Sequence, residues 1–125
     1  RFSTVKNLPL EKFLDKESIA QCCAKTVGRG AEIVSLLGSG SAYFAPSAAA
    51  AAIVKAVVKD EKRIIGVCAP VNGPYGLENK CVGIPCRIGK NGIESIVELQ
   101  LNDAEKKALH ESAEKIQSLT KQLPQ

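Results

Sequence analysis

Gly38-Ser39-Gly40-Ser41-Ala42-Tyr43-Phe44-Ala45-Pro46, followed by alanines from Ala48 to Ala52, decides how the chain is read. Two glycines end one helical pattern, Ser41 is a candidate cap for the next, and Pro46 suits an early helical position where its missing N–H costs least. The stretch predicts a helix-to-helix junction. A helix start offers free backbone N–H groups and the positive end of the dipole, and the small side chains of Ser41 and Ala42 let a ligand come close to that backbone. Two readings stand side by side: a site for a small anion, or a plain connector whose alanines serve close helix contact.

Working outward, Asp15 is a candidate cap for a helix to Leu37, with Ile19, Cys22 or Cys23, Thr26 or Val27, Ala31, Val34 and Leu37 at helical spacing. Gly28 and Gly30 interrupt that pattern, and a kink is expected there. Upstream, Arg1 to Val5 reads as the end of a strand and Asn7-Leu8-Pro9 as a turn. Downstream, Ala49, Ala52, Ile53, Ala56 and Val57 form the apolar stripe of a second helix ending at Lys59-Asp60. The period then changes to two. Arg63 to Pro70 and Cys81 to Ile88 predict strands, separated by the turn-rich Asn72-Gly73-Pro74-Tyr75-Gly76, and Pro85 suggests an edge strand or a bulge. Gly89-Lys90-Asn91-Gly92 is a hairpin signal. The next strand alternates Ile93, Ser95, Val97, Leu99 and Leu101, one buried face, against Glu94, Ile96, Glu98 and Gln100. Asn102-Asp103-Ala104-Glu105 resembles a capping box opening a helix with the stripe Leu109, Ala113, Ile116, Leu119 and Leu123. The expected fold class is α+β: a kinked helix, a second helix, a three-stranded antiparallel meander and a C-terminal helix.

The chain has 125 residues, 45% of them hydrophobic, enough for one domain that buries about two thirds of the surface of its unfolded form. Its formal net charge is +4, but the lysines are scattered, and nucleic-acid binding wants clustered cations interleaved with stacking aromatics. No run of 18 apolar residues predicts a membrane span. The five cysteines, Cys22, Cys23, Cys68, Cys81 and Cys86, contain no Cys-x-x-Cys pair, and His110 is the single histidine. Buried structural thiols in a reducing, cytoplasmic setting are therefore expected, with no metal site. The chain contains no methionine, so a preceding segment is expected upstream of Arg1.

The glycine pairs Gly28-x-Gly30 and Gly38-x-Gly40 lack the third glycine of a dinucleotide motif, since Ile33 and Tyr43 occupy that place. His110 is expected on the exposed side of the last helix. Glu94 and Glu98 are expected roughly 13 Å apart on an outward strand face, too far for a glycosidase pair. No complete catalytic set is present.

Arg1-Phe2-Ser3-Thr4-Val5 with Leu8-Pro9-Leu10, Gly30-Ala31-Glu32-Ile33-Val34, Gly40 to Pro46, Tyr75-Gly76-Leu77, Val82-Gly83-Ile84-Pro85 and Gly89 to Glu94 follow one another in the order and spacing of the C-terminal half of the lactate/malate dehydrogenase family. The chain most resembles the lactate-dehydrogenase-like malate dehydrogenases, along its whole length. The resemblance implies the substrate-binding, or catalytic, domain of an NAD-dependent oxidoreductase that interconverts malate and oxaloacetate. The catalytic histidine and its aspartate, the carboxylate-binding arginines and the dinucleotide-binding domain would all precede Arg1; His110 does not match that histidine. The resemblance further implies that Ser41 and Ala42 belong to the substrate-pocket wall, that Pro46 lies near the nicotinamide, and that the first long helix serves a homodimer or homotetramer. An L-lactate dehydrogenase of the same family, or a non-enzymatic interaction domain with a cationic surface, are the alternatives.

Overall fold

Local chemistry sets where each element of the chain begins. In the computed structural model, which describes residues 2–123, Thr4–Val5 (β1) and Leu8–Pro9 (β2) form a small antiparallel hairpin, so the expected turn at Asn7-Leu8-Pro9 is one residue too late. Lys6 and Asn7 make the turn, at φ +48° and +64°, the sign a two-residue hairpin loop demands at both central positions. Arg1 lies outside the described residues.

Asp15 caps α1 (Lys16–Leu37): its carboxylate accepts from the Ser18 backbone N–H at 2.8 Å and the Ser18 hydroxyl at 2.9 Å. Both bonds hold the Asp15 carboxyl below its usual range. The helix is unbroken across Gly28 and Gly30, so the expected kink is no interruption. It ends at Gly38, whose φ of +71° suits glycine. No residue of α1 is buried. Next comes α2 (Phe44–Val58), with Ala56 fully buried on its predicted stripe.

The chain divides into two compact units, Arg1–Ser47 and Ala48–Gln125. The second has its own core. Strands β3 (Arg63–Val71), β4 (Lys80–Gly89) and β5 (Gly92–Ile96) form the expected antiparallel meander. Its inner face, Ala69, Val71, Val82, Ile84, Cys86 and Ile88, joins Ala56, Leu77 and Ala113 in one cluster. Ala113 comes from α3 (Asp103–Thr120), which opens with both bonds of the predicted capping box, Asn102 to the Glu105 N–H and Glu105 to the Asn102 N–H. Its stripe packs only as far as Ile116, since Leu119 and Leu123 are exposed.

Pro85 lies on the central strand, not an edge, and the register shift falls between Arg87 and Ile88. The proline is tolerated because β5 stops beside it. The Pro85 carbonyl still accepts from Val97 N–H at 2.8 Å, but Val97's own carbonyl meets no ladder donor. The Tyr75 hydroxyl donates to that carbonyl at 3.2 Å and accepts from Leu99 N–H at 2.9 Å. Tyr75 thus draws the chain off the sheet at Ile96, and the strand expected to reach Leu101 is cut short.

The shift also reverses the face expected of β5. Arg87 pairs with Ser95 and Ile88 with Ile93, leaving Glu94 as the extra residue of a bulge after Gly92, at φ +83°. Ile96 consequently packs on the core while Ile93 is exposed. Glu94, expected outward, turns in and bonds Lys62 Nζ at 2.6 Å, and Lys62 also meets Asp60 at 3.0 Å. Asp60 in turn accepts from Lys90 N–H at 2.8 Å, the main reason its carboxyl sits below the usual range. A Cβ on Gly89 would lie 2.5 Å from Glu94 and 2.7 Å from Asp60, so a side chain there would push the two carboxylate ends away.

Two other expectations fail. His110 is half-buried, and its Nε2–H donates to the Tyr75 carbonyl at 2.9 Å, tying α3 to the Pro74–Gly76 turn. Of the cysteines only Cys86 is buried, with its thiol pushed up by burial; Cys22, Cys23, Cys68 and Cys81 are exposed. All five are free thiols.

Candidate functional site

The junction between α1 and α2 is the candidate site. Gly38 and Gly40, both at positive φ, turn the chain after Leu37, and residues 41–43 run as irregular backbone into α2. Ser41 does not cap that helix. The first helical bond, Ser47 N–H to the Tyr43 carbonyl at 2.9 Å, makes Tyr43 the capping residue and puts Pro46 third in the helix, where no intrahelical donor is lost. The N–H groups of Phe44 and Ala45 have no intrahelical acceptor.

A cavity of about 200 Å³ opens here, lined by Ile33, Leu37, Ala42, Tyr43, Phe44 and Ala45. Ile33 and Leu37 stand one turn apart on α1, and the Tyr43 and Phe44 rings lie 4.8 Å apart with a 35° tilt. Ala42 is the one predicted site residue in the lining, and it is half-buried; Ser41 and Pro46 are exposed and outside it. No charged side chain lines the cavity. An anion there would meet only backbone N–H groups and the helix dipole, whereas a planar apolar group would meet matching walls. Ile33 and Leu37 escaped sequence reasoning, although their i, i+4 spacing just before the glycine stop was a usable signal.

Among the described residues no cluster of three or more His, Cys, Asp or Glu side chains is placed to hold a metal, and no helix is long and apolar enough to cross a membrane.

The fold defines a known domain class. Residues 3–124 match the model for the lactate/malate dehydrogenase α/β C-terminal domain, and the chain belongs to that family. Among its relatives are the malate dehydrogenases of Bacillus israeli, 44% identical over 98% of this chain and 39% of that protein, and of Halalkalibacterium halodurans, 43% identical over 99% and 40%. Among solved structures, the malate dehydrogenase of Aeropyrum pernix superposes with a TM-score of 0.90 at 36% identity, covering 99% of this chain and 41% of that one. The lactate dehydrogenase of Eimeria maxima, solved with NADH and oxamate, also reaches 0.90, at 39% identity over 97% and 38%. The chain thus spans only 36–40% of the length of the curated relatives named malate dehydrogenase that it matches.

Proposed function

We propose that the chain is the substrate-domain part of an NAD-dependent malate dehydrogenase that interconverts (S)-malate and oxaloacetate, the malate step of the tricarboxylic acid cycle. The family match over residues 3–124, joined to 40–44% identity with proteins named malate dehydrogenase, is the observation that carries the reading. NAD supplies the hydride chemistry when bound. The chain's own part is to wall a dry pocket: Ile33 and Leu37 offer a surface without competing charge, suited to one edge of the dihydronicotinamide ring, which is uncharged in the reduced cofactor. Ser41 and Ala42 are assigned to the substrate side and Pro46 to the cofactor side. The 2-oxo or 2-hydroxy acid's carboxylate finds no cation in this lining, so on this reading its binding, like proton transfer, belongs to groups outside the lining.

The intact enzyme is assigned as a homodimer or homotetramer, with α1, which buries no residue of its own, in the subunit contact, and as cytoplasmic, in keeping with five free thiols. NADH oxidation with oxaloacetate and with pyruvate, followed by absorbance, tests the assignment. The complete protein is expected to favour oxaloacetate, and the 125-residue chain alone to turn over neither substrate. Preference for pyruvate would move the assignment to a lactate dehydrogenase, and activity of the chain alone would overturn the division of labour.

A further inference from the structure

The meander has an inner face that builds the core and an outer face that does not. On the outer face Ile64, Gly66, Cys68 and Pro70 of β3 stand against Arg87, Pro85, Gly83 and Cys81 of β4. Because the Pro85 carbonyl turns toward Val97 rather than β3, these are the non-hydrogen-bonded pairs, whose side chains lie closer together.

Cys68 pairs directly with Gly83 and Cys81 with Pro70, so the two cysteines are diagonal neighbours on one exposed face. Of the two residues that flank this diagonal, Gly83 has no side chain and the other is Pro70. A Cβ on Gly83 would have no heavy atom within 4 Å, which leaves open space on that side of the diagonal for the thiols to lean together. The right-handed twist of the sheet sets how far apart the members of each diagonal lie.

Magnitudes decide what such a pair does. Diagonal Cα atoms are about 7–8 Å apart. A disulfide wants no more than about 6.8 Å, so direct S–S closure asks the backbone to move. A metal bridge does not. Two metal–thiolate bonds of about 2.3 Å separate the sulfurs by about 4.6 Å, within reach of two side chains at the diagonal spacing.

We infer that Cys68 and Cys81 form a two-thiolate site for a soft, thiophilic monovalent cation of the cuprous type. Soft thiolate ligands select such an ion, and two of them satisfy it without a third protein ligand. Binding forms two metal–sulfur bonds and releases two thiol protons to solvent; no electron is transferred. The helical neighbours Cys22 and Cys23 are exposed too, but adjacent residues on a helix do not face each other, so they make the internal control.

Cuprous ion held by a chromogenic chelator under anaerobic conditions is the probe, with the complete protein withdrawing metal from it. Cys68→Ser and Cys81→Ser are each expected to weaken binding at least tenfold, the double variant no further, and Cys22→Ser/Cys23→Ser not at all. Cys68→Ala and Cys81→Ala, with a thermal melt of each, separate lost ligation from lost folding. Wild-type affinity in either single variant, or a loss seen only in the Cys22/Cys23 variant, would overturn the assignment.

Discussion

The two units hold themselves together by different means. Ala48–Gln125 gathers nine buried hydrophobic residues from α2, the sheet, the Leu77 turn and α3 into one core. Among the described residues of Arg1–Ser47 none is buried, and Val27 and Leu36 are 88% and 81% exposed. The first unit persists through helical hydrogen bonds and caps, the second through burial. The candidate cavity belongs to the first, so it and the buried core lie on different stretches of chain.

Four perturbations break or sharpen this contrast. The largest effect is expected from Ile84→Ala, which should cost about 2–5 kcal/mol in a denaturant titration, while Leu36→Ala stays within about 0.5 kcal/mol. Equal costs would erase the distinction. Tyr75→Phe should cost about 1–3 kcal/mol, because the hydroxyl is the partner of both Val97 and Leu99; amide exchange at Leu99 should rise.

The caps give a finer comparison, since Asp15 and Asn102 do the same chemistry in different surroundings. Asn102→Ala should lower global stability by about 0.5–2 kcal/mol. Asp15→Ala should lower helical circular dichroism without moving the unfolding midpoint of the cored unit.

The smallest effect is on pH dependence. Asp15, Asp60 and Glu114 all have carboxyls held below their ordinary values, by the Ser18 N–H, the Lys90 N–H and the Lys80 ammonium at 2.8 Å respectively. Each stabilises the folded state above its unfolded value, and that contribution is lost as pH falls through the lowered one. Lys62, raised by Glu94 and then Asp60, behaves oppositely: its contribution is complete below the ordinary lysine range and is lost as pH rises through the raised value. Asp60→Asn should flatten the acid limb of a stability–pH curve, and Lys62→Gln the alkaline one.

Much of this architecture was legible in the sequence. The change of period after Lys59, the capping box at Asn102 and the glycine stop at Gly38 are local signals, and the structure keeps them. What escaped is set by contacts between distant residues. The bulge at Glu94 reversed a strand face that alternation alone assigned the other way. Tyr75 ended β5 from more than twenty residues away, and His110 turned inward because a backbone carbonyl awaited it. At the junction, Ala42 lines the cavity and Ser41 and Pro46 do not. The cap expected of Ser41 falls to Tyr43, and the wall from Ile33 and Leu37 arises only when α1 meets the start of α2.

The most direct test fills the cavity. Ala42→Phe in the complete protein should abolish or strongly depress NADH-dependent reduction of oxaloacetate while leaving the unfolding midpoint of the cored unit unchanged. Wild-type turnover with the cavity filled would contradict the assignment of this junction as a wall of the reacting pocket.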